Sequence, residues 1–386
     1  MIDEFDFACS VPVTFERGCT DRIGRLLKEE GFQSVLVAID PNLEEISLTD
    51  TIFQSLEDEQ ITYQTYTDIE PNPKIRHIDR GAEAAKAIDV DCVVAIGGGS
   101  AIDTAKGIAL VATHSKSIHE FQRTESGDYI TTDSEALPLY TVPTTVGTGS
   151  EVTTGIVVSD SDQNKKIVVG ADGFSPTRAL LDPSLLRTLP RDVISSTGMD
   201  SFTQAVESYI ASGASPITEA LSIRAVKIIN KNIRSAVAKR DDESLEKMQI
   251  ATTLGAIAFD NSGLGLVHGI SHPVSAHYDT PHGITNAVLL PYVLEFNLIA
   301  SVDKYDTMAR TIGRASPDQP PRKNAETFVD TVRTLTDDLG IPARLSELGV
   351  EQEMLPTIAE ETAVSGAPNP RAYDAEDVEK ILKKAY

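Results

Sequence analysis

The stretch VVAIGGGSAIDTAKGIAL, residues 93–110, reads as a buried strand that runs into three glycines and then into a helix. Its opening run is short, apolar and rich in β-branched residues, as in strands covered on both faces. Glycine lets a backbone come close to a bulky anion. The N–H groups of Gly98, Gly99 and Ser100 would open the helix, where the dipole favours negative charge. A diphosphate would bind here, and a tight strand-to-helix turn is the plain alternative. The segment departs from G-x-G-x-x-G, because Ile102 stands where the third glycine should be, and it lacks the G-K-[ST] of a P-loop.

Three further strand signals flank this one: QSVLVAID (33–40), ITYQTYT (61–67) and LPLYTVPTT (137–145), with helix-period segments such as KIRHIDRGAEAAKAI between them. Such alternation predicts a parallel sheet with covering helices, an α/β domain over residues 1–189. Beyond LRTLPRDVISSTG strand signals almost vanish and amphipathic stretches such as EALSIRAVKIINKNIRSAVAK dominate, so residues 190–386 should form an all-α domain. The Pro-rich RASPDQPPRKN (314–324) reads as a loop between helices.

Composition fits this division. With 386 residues and 41% hydrophobic content, the chain is long enough for two cored domains. The charge of −24, from 58 acidic and 34 basic residues, would repel nucleic acid and anionic membranes, so neither is an expected partner. The acids are dispersed along helical segments such as RDDESLEKMQ, which suggests a halophilic protein whose self-repulsion is screened by salt. No run of about 18 apolar residues offers a membrane span, and MIDEFDFACS lacks a signal-peptide pattern, so a cytoplasmic protein is expected. Cys9, Cys19 and Cys92 are too few and scattered for a disulfide framework and should be reduced and structural.

Two loops join the glycine segment in outlining a nucleotide site. Asp40, ending its strand, could accept hydrogen bonds from a ribose, or it could be a turn residue before Pro41. TVPTTVGTGSEVT (141–153) follows another strand and offers Thr144, Thr145, Thr148 and Ser150 as donors beside Gly147 and Gly149; a plain polar turn is its alternative. Three such loops after strands point to a crevice at the carboxyl edge of the sheet.

The helical half holds a second set. VHGISHPVSAHYDTPHG (267–283) contains four of the seven histidines, and imidazole suits Zn²⁺ and Fe²⁺. His268 and His272 are four apart, His282 follows Pro281 at a helix start, and STGMDSFTQAVESYI should begin a helix that sets Asp200 and Gln204 on one face. Together these offer oxygen and nitrogen ligands.

In order and spacing, GGGSAIDTAK, PTTVGTGSEVT, DPSLLRTLP, TGMDSFTQAVESY, VHGISHPVSAHYDTPHG and NAVLLPYVLEFN resemble the iron-containing (group III) alcohol dehydrogenases over nearly the whole chain. The resemblance implies a dinucleotide-binding α/β domain, a helical domain in a dehydroquinate synthase-like architecture, and a divalent metal, Fe²⁺ or Zn²⁺, in the cleft between them. It places metal ligands at Asp200, Gln204, His268 and His282; the family carries His where this chain has Gln204, an amide that is a poorer donor. Asp200, His268 and His282 still make three ligands with an open position. His277 could substitute, or could face substrate or solvent.

The implied chemistry is Lewis-acid polarisation of an alcohol oxygen with hydride loss to nicotinamide C4, reversible to reduce an aldehyde or ketone. His272 resembles a family histidine near the nicotinamide and would relay the proton or support the ligands. By the same resemblance Asn72, Asp103 and Lys166 join the cofactor site. The Asp40 carboxylate would repel a 2′-phosphate, which favours NAD(H) over NADP(H). A small alcohol or aldehyde is the expected partner, and a homo-oligomer the expected assembly. Glycerol or polyol dehydrogenases and maleylacetate reductases share the architecture, and a nucleotide-binding homologue with weakened catalysis is a further alternative.

Overall fold

The structure is a computed structural model that describes every residue except 1–3, 45, 125, 126, 162 and 164. The chain forms two compact units. One comprises Cys9–Thr145 and Gly149–Leu189; the other comprises Pro190–Tyr386 with Val146–Thr148 and the N-terminal residues up to Ala8.

The first unit is built on β1 (Val13–Phe15), β2 (Ser34–Ile39), β3 (Thr62–Tyr66), β4 (Cys92–Gly97), β5 (Leu139–Pro143), a hairpin of β6 (Ile156–Asp160) and β7 (Lys165–Val169), and β8 (Arg178–Leu181). Six of these pair in parallel in the order β1-β8-β5-β4-β2-β3, while β6 and β7 pair antiparallel. Side chains alternate across the sheet. Leu36, Ala38, Val93 and Ala95 pack with Ile78, Ile102, Ala105 and Ile108 on one face. Val35, Val37, Ile39, Val94 and Ile96 pack with Ile23, Leu27, Ile52 and Leu56 on the other. Burial on both faces explains why these strands are continuous apolar runs.

The chain steps outward from β2 to β3 and returns on the far side of β2 to form β4. The order therefore reverses between β2 and β4, and ligands of open α/β sheets bind beside such a switch point, outside the strands' carboxyl ends. Asp40 and the glycine loop both lie there: Asp40 N–H donates to the Ile96 carbonyl at 3.0 Å.

The four strands read from the sequence are present, and β1, the β6–β7 hairpin and β8 are additions. β1 and β8 are short, and RALL of β8 carries helix-compatible residues, so periodicity gave no signal there.

The second unit is helical. Helix Arg191–Ile210 begins directly after Pro190, not at the Ser-Thr-Gly that suggested a start; the Thr197 hydroxyl bonds back to the Val193 carbonyl at 2.8 Å inside the helix instead of capping one. The stretch read as a loop over 314–324 ends inside helix Pro321–Asp338, where Pro321 takes the first helical position and satisfies its geometry without an N–H. One stretch, His282–Ala300, is long and apolar enough to cross a membrane, contrary to the sequence reading; 61% of its window is buried within the fold, so its apolarity serves the core. Cys19 and Cys92 are buried and Cys9 is exposed, which removes Cys9 from the structural set.

Candidate active site

Helix Arg191–Ile210 is buried along most of its length and carries Asp200, Gln204 and Glu207 on successive turns of one face. Helix Leu266–Tyr278 brings His268 and His272, and helix His282–Asn297 brings His282 and Asn286. The last of these approaches the first because residue 283 is glycine: a Cβ there would stand 2.2 Å from the Ser196 carbonyl oxygen.

Glu207 joins the first two helices. Its Oε1 accepts from Val267 N–H in the first turn of helix Leu266–Tyr278, and its Oε2 lies against His268 Nδ1, both at 2.6 Å. A carboxylate only accepts, so Nδ1 carries a proton toward Glu207, and Nε2, on the Asp200 side, is the ring nitrogen left for a metal to take. His268 Nε2 is 3.6 Å from Asp200 Oδ1, and His282 Nε2 is 3.8 Å from the same oxygen. One ligand atom from each of Asp200, His268 and His282 lies within 4.8 Å of the others.

The electrostatics favour a cation. Asp200 and Glu207 are buried carboxylates whose charged neighbours within 4 Å, among the described residues, are imidazoles. Burial alone would lower the His268 pKa, but hydrogen bonds to Asp200 and Glu207 and their two charges reverse this and raise it to about 9. The same carboxylates would stabilise a divalent ion. Gln204 donates through Nε2 to the Thr148 carbonyl at 3.3 Å and to Asp200 Oδ2 at 3.2 Å. Two acceptors on one side fix the amide orientation and leave Oε1 buried without a hydrogen-bond partner. A buried carboxylate and two imidazoles that converge on one point suit a divalent metal, so the residues present fit one.

His272 lies close to the trio, its ring centroid 6.1 Å from that of His268 and 5.4 Å from that of His282. His277 turns to Glu361, with Nε2 3.1 Å from the carboxylate, and does not join the trio.

In the α/β unit, Gly98 caps helix Gly99–Val111, so the predicted diphosphate cradle is a true helix N-terminus with Ser100 in its first turn. Gly97 has φ of 153°, and a Cβ on it would meet the Ala101 Cβ at 2.6 Å and the Asp40 Cβ at 3.1 Å. Only glycine fits this junction. Asp40 Oδ1 accepts from Asn42 N–H and its side-chain amide, each at 2.9 Å, an Asx turn that orients the carboxylate beside the loop. Thr144 N–H donates to the Gly97 carbonyl at 2.9 Å, and Thr145 abuts Gly98. Thr148 falls in the other unit, with its carbonyl taken by Gln204.

The β6–β7 hairpin supplies Lys166, whose Nζ donates to Asn72 Oδ1 at 2.8 Å. Asp103 has internal partners: Ser150 Oγ donates to one oxygen and Val157 N–H to the other, at 3.0 Å for the latter. Beside it Lys106, fully buried, donates to Ser150 Oγ, Thr153 Oγ1 and the Gly155 carbonyl at 3.0–3.1 Å. Buried Lys106 and partly buried Asp103 together tie helix Gly99–Val111 to the loop after β5.

Comparison with known proteins follows the same division. The family model for iron-containing alcohol dehydrogenase matches residues 11–183, and the model for the C-terminal part of the Fe-containing alcohol dehydrogenase family matches 194–386. The NAD-dependent methanol dehydrogenase of Bacillus methanolicus is 34% identical over 96% of both chains. A 1,3-propanediol oxidoreductase superposes with a TM-score of 0.94 at 31% identity over 100% of both chains. The archaeal halo-thermophilic Red Sea brine pool alcohol dehydrogenase ADH/D1 does so with 0.93 at 29% over 100% of both. One unit carries a glycine loop at a helix N-terminus beside a sheet switch point, and the other a buried carboxylate–imidazole donor set that suits a metal. The chain belongs to the iron-containing alcohol dehydrogenase family, and its reaction is the NAD(P)-linked interconversion of an alcohol with its aldehyde or ketone.

Proposed function

We propose that the chain oxidises short primary alcohols or diols, or reduces the matching aldehydes, with NAD(H), and that Asp200, Gln204, His268 and His282 hold Fe²⁺. The observation that carries this reading is the meeting of Asp200, His268 and His282, with Gln204 bonded to Asp200 beside them. The metal, when bound, supplies Lewis acidity to the substrate oxygen. Glu207 keeps the His268 proton on Nδ1 and so keeps Nε2 free to ligate. His272, beside the trio, relays the alcohol proton.

On the α/β unit, Gly98, Gly99 and Ser100 receive the diphosphate and Thr144 and Thr145 line the adjoining loop, which runs on to Thr148. Asn72, Asp103 and Lys166 complete the cofactor set: Lys166 and Asn72 act as a bonded pair, and Asp103 holds the loop through Ser150. Asp40, beside Gly97 at the switch point, disfavours a 2′-phosphate. The methanol and propanediol activities named for the relatives support a short, unbranched substrate. The charge of −24 and the brine-pool relative support a cytoplasm of high salt as the working medium; we also expect a homo-oligomer.

The test is an anaerobic NAD(H)-linked assay of the Fe²⁺-loaded chain with C1–C4 alcohols, diols and aldehydes, beside metal analysis of His268→Ala. Turnover that falls with metal content supports the reading. NADH binding without turnover on any of these substrates would indicate a nucleotide-binding homologue with weakened catalysis.

A further inference from the structure

Asp40 is the first residue beyond β2, beside the glycine loop that follows β4. Its backbone is held on both sides: its N–H donates to the Ile96 carbonyl at 3.0 Å, and its carbonyl accepts from Leu43 N–H at 2.8 Å. With the backbone fixed, only the side-chain torsions remain to be set. Asn42 sets them, because its backbone N–H and its side-chain amide both donate to Asp40 Oδ1, each at 2.9 Å. A carboxylate only accepts, so the Asn42 amide must present its NH₂. No described residue donates to Oδ2.

The two oxygens of Asp40 therefore differ. One is spent on the protein and the other is left for a ligand. An unrestrained Asp side chain would exchange among staggered rotamers and would have to give up that freedom on binding. Holding Oδ1 removes the cost in advance. It also fixes the negative charge in space, and Coulomb repulsion weakens as charges separate, so a carboxylate free to swing away would discriminate less against a second anion.

We propose that Asn42 is a specificity-determining residue for the dinucleotide, acting through Asp40. It locks Oδ1, leaves Oδ2 to accept from a ribose hydroxyl, and keeps the charge where it opposes a 2′-phosphate. The proposal rests on the reading of Asp40 as the ribose residue. Asn42 is a positioning residue and needs no contact with the nucleotide.

The experiment measures NADH and NADPH dissociation constants by fluorescence titration of the full-length protein in four forms: the parent, Asn42→Leu, Asp40→Ser and the double variant. Asn42→Leu keeps the backbone N–H and removes the amide, and because Asn42 is exposed the variant should fold. Its ratio of NADH to NADPH dissociation constants should rise about two- to tenfold, the range for one hydrogen bond. In the Asp40→Ser background the same change should leave the ratio unmoved, since no carboxylate remains to be held. Looser packing alone would weaken both nucleotides alike. A ratio unmoved by Asn42→Leu in the parent overturns the proposal, and so does an equal shift in both backgrounds, because Asn42 would then act without the carboxylate. An Asp40→Ser variant that keeps the parent's ratio would instead overturn the placement of Asp40 at the ribose.

Discussion

Replacing Glu207 by Gln should cost the enzyme its metal and leave it folded. Val267 N–H needs an acceptor, so the new amide must place its oxygen where Glu207 Oε1 now accepts at 2.6 Å. Its NH₂ then faces His268 Nδ1, where Glu207 Oε2 accepts now. The ring can meet that donor only as an acceptor, so its proton moves to Nε2, the atom aimed at Asp200. The reversed amide is no better, since its NH₂ would meet the Val267 N–H donor. Metal binding must then undo a buried hydrogen bond worth about 1–3 kcal/mol, which is roughly 5- to 140-fold in affinity at 1.4 kcal/mol per decade. Outer ligands of metal-bound histidines cost about as much when lost. Chelator competition on the intact protein measures the affinity, and thermal unfolding in excess chelator measures the metal-free fold, which should change by less than about 2 kcal/mol because both hydrogen bonds are still made. Metal affinity within twofold of the parent would refute the tautomer argument.

Gln204→His should tighten metal binding by about one to two orders of magnitude, since imidazole is the better donor; an unchanged affinity in the same titration would remove position 204 from the ligand set. Asp40→Ser should raise kcat/KM with NADP(H) relative to NAD(H), because the carboxylate beside Gly97 repels a 2′-phosphate; an unchanged ratio would place the ribose elsewhere. Asp182 is buried and, although burial alone would raise its pKa, hydrogen bonds from Ser184 and Thr20 hold it below the usual carboxylate value. Its contribution is therefore fully present above the unfolded-state value of about 3.9 and is lost as pH falls through the folded one. Asp182→Asn should cost about 1–3 kcal/mol near neutrality, and urea titrations should show the gap to the parent narrowing below about pH 4; a gap that widens in acid would mean that the charge is not stabilising.

The buried strands were legible because each is an apolar run closed by glycine, proline or aspartate, and the glycines after β4 marked the strand-to-helix junction that the structure shows. Asp200, His268 and His282 were singled out from a histidine-rich stretch and a helix face, but spacing did not say which of the histidines would meet Asp200, and the resemblance supplied that choice. Three residues escaped although the spacing pointed to them. Glu207 is seven residues beyond Asp200, Lys106 three beyond Asp103 and Asn286 four beyond His282, so each shares a helix face with a residue already chosen. A glutamate, a lysine and an asparagine on helices read as ordinary surface residues, and burial, which sequence spacing does not report, gives them their meaning. The β6–β7 hairpin escaped for a different reason. Lys166 owes its position to pairing with the Asn72 loop, a contact across 94 residues that leaves no local trace.

Helix Arg191–Ile210 holds a carboxylate of the imidazole cluster, an amide bonded to it and the carboxylate that orients a histidine at positions 200, 204 and 207. An insertion or deletion of one residue ahead of Asp200 would rotate all three by about 100° and carry them off the face they share. Replacing any one of them leaves the other two in place. Evolution along this helix is therefore free in spelling and bound in length, and the glutamine at 204 is the kind of change it can accept: the chemistry of one donor alters while the frame that aims it stays fixed.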